Sequence, residues 1–474
     1  WNQMIHCEPG HNVVRAKPKK NNGAGYKASI VNIVDGKRDQ WFRPSDVCVA
    51  PDGSIFISDW YDPGVGGHQA GDQNKGRIYR VAPKGVKYQS PSFVLTSAAG
   101  AVQALQSPNL SVRYMAWEAM KNMGTKALPE LEMLYQKADN DRMKARALWM
   151  LVQIAPQPAR YVDQALKDKN PDLRIVGLRA AKEYLSKDFL TYAKKLEKDP
   201  DVQVRRECAL LLNGVKNPDA AKVWARLANQ YQAGDRWYLE ALGIGAEGQW
   251  DSFFSVWKGT AGDNPIATQA GKDIVWRSRS KESIPLLAQL ANEPSTELKN
   301  RLRYFRAFDF NEGKEEKSVA LLKIMKGSTQ DQKEVNTLVL NHLDPEFVKK
   351  SPEAMLILQK HLDDTYGSPV YMEMISRYEP ASENNRLLTL ALQESKKSSG
   401  RQAAEQILKQ GGEALVWKSI QSKDPSEAER MLESLRGIGS KQSIAMLTSV
   451  GLDNQYTDLL RGIAFKSLGG SMNG

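Results

Sequence analysis

Four side chains that could perform acid–base or metal chemistry lie in or beside one glycine-rich loop. The loop spans residues 60–76, and the candidates are Asp59, Asp62, His68 and Asp72. Carboxylate oxygens are the ligands that Ca²⁺ prefers, and an imidazole can act as a base or as a ligand. The spacing does not match an EF-hand, and the glycines match neither the Walker A nor the Rossmann pattern. A ligand site and a purely structural corner are therefore both open.

Three further residues at the foot of the same hairpin could support such a site: Arg43, Asp46 and Arg77. In the structural alternative, Asp46 and Asp59 bond backbone amides at the corners of the sheet, and Arg43 pairs with one of them. For Asp59 we favour this structural role. For His68 we favour a functional one, because neither a turn nor a strand pattern requires an imidazole in a glycine-rich loop.

The elements that position these residues are short strands. Residues 46–50 and 54–60 alternate apolar and polar side chains, and Pro51-Asp52-Gly53 between them has turn chemistry, so the pattern predicts a hairpin. Residues 76–81 predict a third strand, and residues 1–34 predict further strands separated by Pro9-Gly10 and Asn22-Gly23. Three strands in a meander are typical of one propeller blade.

The same segments resemble a known family. The resemblance rests on FRPSDVCVAPDGSIFISDWYDP and GRIYRVAPKG, preceded by HCEPGHNVVR. In this family of bacterial envelope proteins of the membrane-bound dehydrogenase type, a propeller similar to that of glucose/sorbosone dehydrogenases precedes HEAT-like repeats and a c-type cytochrome domain. The chain thus looks like the C-terminal part of a β-propeller over residues 1–90 and a HEAT-like α-solenoid over residues 91–474.

The resemblance implies that the parent protein is a quinone-dependent dehydrogenase of sugars or polyols, located in the periplasm or cell envelope. It implies pyrroloquinoline quinone (PQQ) or Ca²⁺ in the propeller and haem c in a C-terminal domain. We expect no haem on this chain, because its three cysteines form no CxxCH motif. We expect a fragment, since about six candidate strands cannot close a propeller ring. No complete active site is apparent, so catalysis by this chain is left open.

After residue 90 the apolar period changes from two to 3.6, which predicts a mainly α protein of about ten to twelve helix pairs. The repeat is clearest where a turn precedes an apolar residue and an arginine. Taking Pro108, Asp141, Pro171 and Pro200 as equivalent gives spacings of 33, 30 and 29 residues. The arginines Arg113, Arg146 and Arg205 then form a structural ladder, and the third repeat departs from it with Val176.

The net charge of +11 raises the question of nucleic-acid binding, but acidic and basic residues alternate on most helices, which favours a solvated surface. The chain contains no run of about 18 apolar residues, so the sequence predicts no membrane span. Three functions remain. In the first, the chain is a scaffold that positions partners or an electron-transfer domain within the oxidoreductase. In the second, it is a non-catalytic scaffold that binds protein partners or other domains of the same polypeptide. The third, a HEAT-like DNA-binding protein, fits the charge and a Trp/Arg cluster at residues 236–279 but not the strands.

Overall fold

The computed structural model of the chain describes residues 3–64, 74–326 and 332–471. These residues form two compact units, Trp1–Glu282 and Ser283–Gly474. The last described strand ends at Val81 and the first α-helix begins at Ala98. The predicted fold class, mainly α with a β-rich N-terminal segment, is confirmed.

The β-rich segment contains two three-stranded sheets and one two-stranded hairpin, all antiparallel. The orders are β1-β2-β5, β3-β4 and β6-β7-β8. The strands are β1 (Met4–Glu8), β2 (Val13–Lys17), β3 (Lys19–Asn22), β4 (Gly25–Ala28), β5 (Val31–Asp35), β6 (Pro44–Val49), β7 (Ile55–Asp59) and β8 (Arg77–Val81). The predicted meander is therefore confirmed as β6-β7-β8.

The turn between β6 and β7 follows from its residues. Gly53 adopts a positive φ of 84°, which glycine accepts without steric cost. Asp52 accepts hydrogen bonds from the amide and the hydroxyl of Ser54, at 2.9 and 2.6 Å. The two larger sheets share a small core of Val14, Phe42 and Ile57. This core holds β7, and with it Asp59, in place.

The helices of the first unit are α1 (Ala98–Leu105), α2 (Leu110–Met123), α3 (Leu128–Lys137), α4 (Asp141–Ile154), α5 (Pro158–Ala165), α6 (Pro171–Tyr184), α7 (Phe189–Leu196), α8 (Val202–Leu211), α9 (Pro218–Ala228), α10 (Arg236–Gly245), α11 (Trp250–Thr260) and α12 (Gln269–Arg277). Helices α2, α4, α6, α8 and α10 pack side by side in that order. We call the surface formed by this row the even-helix face.

The helices of the second unit are α13 (Ile284–Asn292), α14 (Leu298–Phe308), α15 (Lys314–Met325), α16 (Gln332–His342), α17 (Pro345–Lys350), α18 (Pro352–Thr365), α19 (Pro369–Tyr378), α20 (Asn384–Gln393), α21 (Ser398–Lys409), α22 (Glu413–Ile420), α23 (Pro425–Ser434), α24 (Lys441–Leu452) and α25 (Asp458–Ser471). Each packs on helices near it in sequence. This is the local packing expected of a helical repeat, in which each unit buries its apolar stripe on its neighbours.

The helix caps correct the predicted repeat register. Helices α2, α4, α6 and α8 follow N-cap residues whose side chains accept a backbone N–H of the first turn: Asn109, Asn140, Asn170 and Asp201. These caps lie 31, 30 and 31 residues apart, closer to a constant repeat than the predicted 33, 30 and 29. The prediction missed this register because it aligned prolines and an aspartate beside the caps instead of the caps themselves.

The corrected register also changes the arginine ladder. Arg174 and Arg205 each lie four residues after a cap and donate to a carbonyl in the turn before their own helix, at 2.9 and 2.5 Å. The third repeat was predicted to lack its arginine because Val176 stands there. That prediction is wrong, since Arg174 fills the role. Arg146 instead donates to carbonyls of the turn one repeat earlier.

The aromatic residues of the first unit divide between core and surface. Trp224, Trp250 and Trp257 are buried, with Phe253 and Phe254 packed among them. Trp237 is 55% exposed. Within the Trp/Arg cluster at residues 236–279, Trp250 and Trp257 therefore serve as core. Among the described helices none is both long and apolar enough to cross a membrane.

Candidate functional site

Asp59 lies at the end of β7 with a fully buried carboxylate. Its Oδ1 accepts the backbone amides of Arg43 and Tyr61, at 2.7 and 3.0 Å. Its Oδ2 accepts two hydrogen bonds from the Arg77 guanidinium, at 2.9 and 2.7 Å. Both oxygens are thus occupied by protein donors. This is the bonding that the structural role predicts, with an ion pair added to it.

The guanidinium of Arg77 connects three parts of the segment. Besides Asp59 it contacts Asp39, whose Oδ2 lies 2.9 Å from its Nη2. It also lies over the ring of Tyr61, 3.8 Å from the centroid. Tyr61 has a positive φ of 53°, which a non-glycine residue adopts only when its surroundings hold it there. The hydrogen bond that the Tyr61 amide donates to Asp59 and the contact with Arg77 supply that support.

Asp62 and Arg43 order the start of the loop. The Asp62 carboxylate accepts the amide of Gly64 at 2.7 Å and the indole N–H of Trp60 at 3.1 Å. Arg43 donates to carbonyls of Pro9, Pro63 and Gly64 rather than to a carboxylate. Asp46 is exposed and bonds the amide of Val47, away from this cluster. Arg43 thus has a different partner from the one the structural alternative assigned to it.

His68 and Asp72 lie outside the described residues, so their part in a site stays a prediction. Among the residues that the structure does describe, no three His, Cys, Asp or Glu side chains are grouped to hold a metal ion. The carboxylate oxygens of Asp59 and Asp62 accept N–H donors of the segment itself. The described part of the loop is a structural corner.

A second site, which the sequence did not predict, lies where the β3-β4 hairpin meets the even-helix face. Residues 23–25 form the hairpin tip, and Ala24 at its centre is fully buried. Gln203 donates to the carbonyls of Gly25 and Gly23, at 2.9 and 3.4 Å. Arg206 donates to the carbonyl of Ala24 at 2.6 Å. Helix α8 therefore satisfies three main-chain acceptors of the tip.

Helix α10 supplies the matching acceptor. The Oδ2 of Asp235 accepts the amide of Ala24 at 2.7 Å, while its Oδ1 caps α10 by accepting the amide of Tyr238. A Cβ added to Gly25 would overlap the ring of Trp237. The tip thus needs glycine at that position because its main chain lies directly against the indole.

The side chains that hold the tip belong to a charge network on α6 and α8. The buried carboxylate of Glu207 accepts two hydrogen bonds from Arg179, at 2.7 and 3.0 Å, and lies 3.3 Å from Arg206. The hydrogen bond to Glu207 raises the pKa of Arg179. This network fixes the guanidinium of Arg206 against the hairpin. The arrangement recognises a polypeptide main chain rather than particular side chains.

No sequence signal pointed to this contact. The Asn-Gly pair at 22–23 predicted a hairpin, and Asp235 could be identified as a helix cap from its type and place. Their pairing could not be predicted, because 211 residues separate Ala24 from Asp235.

Comparisons with known proteins find a family model that matches the β-rich segment. Residues 1–85 match a family model described as a domain of unknown function, DUF7133. A search of curated proteins finds no match.

Several solved structures of helical proteins are similar over most of the chain. An engineered protein is 13% identical, with 80% of this chain and 99% of that one covered and a TM-score of 0.26. Kap121p bound to Pho4p is 12% identical, with 80% of this chain and 50% of that one covered and a TM-score of 0.34, so the chain spans about half of its length. UNC-45 from Drosophila melanogaster is 12% identical, with 79% and 62% covered and a TM-score of 0.26. Similarity at this level carries no argument about function.

Proposed function

We propose that the protein is a helical-repeat scaffold whose even-helix face binds polypeptide segments. The observation that supports this most directly is the hairpin tip, whose main-chain groups are bound by Gln203, Arg206 and Asp235. A buried hydrogen bond to a charged side chain stabilises such a contact by about 1.5 to 3 kcal/mol. The face therefore already carries the chemistry needed to bind an extended or turning chain.

Complementation between two molecules tests this proposal. Gly25→Val places a branched side chain against Trp237 and should expel the hairpin tip from the face. A disulfide-cyclised peptide of residues 19–28 with the natural sequence should then bind the variant, as measured by calorimetry. The same peptide carrying the valine is the control and should not bind.

The double variant Gly25→Val/Asp235→Ala should bind the natural peptide at least about tenfold more weakly, because the Ala24 amide loses a charged acceptor. Circular dichroism of both variants should show unchanged helix content. If the folded Gly25→Val variant gives no heat with the natural peptide, the face is not a polypeptide-binding surface and the proposal fails.

The resemblance in residues 6–85 supports a second, finer proposal: in the parent protein this scaffold joins a dehydrogenase propeller to a cytochrome domain. The β-rich segment leaves apolar side chains uncovered on or beside its edge strands β5 and β8. Ile78 is 76%, Ile30 63% and Val31 50% exposed. Further blades of a propeller would cover such a surface. PQQ or Ca²⁺ in the propeller, haem c in the cytochrome domain and an envelope location belong to this proposal.

Two measurements test the finer proposal. Calcium and candidate sugars are titrated by calorimetry into the wild type and His68→Ala; different heats support a role for His68, and identical heats remove it. The native protein should fractionate with the periplasm or envelope and give a haem stain, whereas a cytosolic protein without haem would contradict the proposal. The 474-residue chain itself should give no covalent haem Soret band, because it has no CxxCH motif.

A further inference from the structure

An open groove of about 690 Å³ lies on the even-helix face between α2, α4 and α6. Its volume is that of a small-ligand or peptide site. It is lined by four arginines, three aromatic residues and four smaller side chains. The described residues of the β-rich segment do not line it, so the hairpin leaves it open.

Three of the arginines have no acidic partner. Arg113, Arg142 and Arg146 line the groove, and within the described part of the chain no carboxylate lies within ion-pair distance of any of them. Burial, and after it the charges of Arg113 and Arg142, lower the pKa of Arg146 to about 10. The three cations thus repel one another in a partly desolvated place, and a bound anion would relieve that repulsion.

Aromatic and aliphatic surface lies beside these charges. Tyr114 is 64% exposed, and its ring is nearly parallel to that of Trp117 at a centroid distance of 6.3 Å. Leu110 is 73% exposed, and Trp149 completes the wall. Exposed aromatic rings next to arginines are the groups that most often anchor a protein partner.

The charge pattern favours an acidic polypeptide over a nucleic acid. The fourth arginine of the groove, Arg179, is already paired with Glu207. Beyond it the β3-β4 hairpin tip covers the face at α8 and α10, so the positive surface does not continue along the helices. Single-stranded nucleic acid is bound along a continuous positive track, whereas the unpaired charge here is confined to three side chains.

We propose that this groove binds an acidic segment of a partner protein. Its carboxylates pair with Arg113, Arg142 and Arg146, and an aromatic or aliphatic side chain packs on Tyr114 and Trp117. The inference rests on the proposed role of the even-helix face as a polypeptide-binding surface and adds the chemistry of the partner.

The test uses the full chain and a fluorescein-labelled decapeptide of alternating Glu and Asp with one central Phe. A matched peptide with Gln and Asn in place of the acids is the control. Fluorescence anisotropy should give binding of the acidic peptide that is at least about tenfold tighter than that of the neutral one and that weakens as salt is added. Equal affinities for the two peptides would overturn the inference.

Arg113→Gln/Arg142→Gln should weaken binding of the acidic peptide about tenfold, because each substitution removes one charge contact. Both side chains make no hydrogen bond in the described structure, so the variant should keep its fold. Arg160→Gln removes the same charge from α5, outside the groove, and should bind like the wild type. Unchanged binding by the double variant, or equal weakening by Arg160→Gln, contradicts the assignment.

A labelled single-stranded oligonucleotide of ten thymidines separates the two classes of partner. If the oligonucleotide binds more tightly than the acidic peptide, and Arg113→Gln/Arg142→Gln abolishes its binding, the groove is a nucleic-acid site and the inference is wrong. Failure of the acidic peptide while the tip peptide still binds Gly25→Val would defeat this inference alone. Failure of both peptides would defeat the proposed function as well.

Discussion

Replacing Asp235 by alanine should release the hairpin tip from the helices. One oxygen of this carboxylate accepts the amide of Ala24, and the other caps α10. Loss of a cap costs about 1 kcal/mol. Loss of a partly buried hydrogen bond to a charged group costs about a further 1.5 to 3 kcal/mol. The second contribution is specific to the tip.

Asp201→Ala is the matched control. Asp201 caps α8 by accepting the amides of Gln203 and Val204 and makes no hydrogen bond to the hairpin. The Asp201→Ala variant should therefore lose only the stability that a helix cap contributes. The difference between the two variants isolates the contact between Asp235 and the tip.

Hydrogen exchange of the peptide covering residues 19–28 measures that difference. In Asp235→Ala its exchange should accelerate about 10-fold to 150-fold, which corresponds to the loss of 1.5 to 3 kcal/mol in local opening free energy. In Asp201→Ala it should change by less than about threefold. Equal exchange in the two variants would show that Asp235 acts as a helix cap alone, and the reasoning about main-chain recognition would be refuted.

Three further predictions concern the β-rich segment and the cysteines. Asp59→Ala should destabilise this segment by about 3 kcal/mol in urea denaturation, because it leaves Arg77 without its buried partner; Asp46→Ala is the exposed control, and equal effects would contradict the corner assignment. Hydrogen bonds from the Ser54 hydroxyl and amide, and then from Arg80, lower the pKa of Asp52 to about 2, so the stability that this carboxylate contributes is present above about pH 4 and lost as the pH falls towards 2. The difference in thermal midpoint between wild type and Asp52→Asn should therefore vanish over that range, and a constant difference would refute the assignment. Burial raises the pKa of Cys208, so mass spectrometry after iodoacetamide treatment at pH 8 should find the exposed Cys48 modified and Cys208 intact; modification of both at similar rates would contradict the burial.

The sequence by itself determined the local elements. Alternation predicted β6 and β7, the Pro-Asp-Gly turn predicted their hairpin, and the 3.6-residue period predicted the helices. The roles of single residues at turns were also accessible, since Asp59 was expected to bond backbone amides and does so. These features depend on neighbours within a few residues, which is why a pattern in the sequence contains them.

The repeat register shows where this local information ends. Asn109, Asn140 and Asn170 are helix caps that the sequence contains, yet the alignment followed the adjacent Pro and Asp residues. Several residue types can cap or start a helix. Only the observed hydrogen bonds identify which of them does so in each repeat.

Tertiary structure alone decided which distant groups meet. The tip at Ala24 binds α8 and α10 through residues about 180 to 210 positions away, and no periodicity encodes such a pairing. The same holds for the groove, where Arg113 and Arg146 come together because α2 and α4 pack side by side. Arg179 is neutralised by Glu207 while Arg113 is not. The charge that a partner would meet is therefore set by helix packing, because packing determines which charges are already paired.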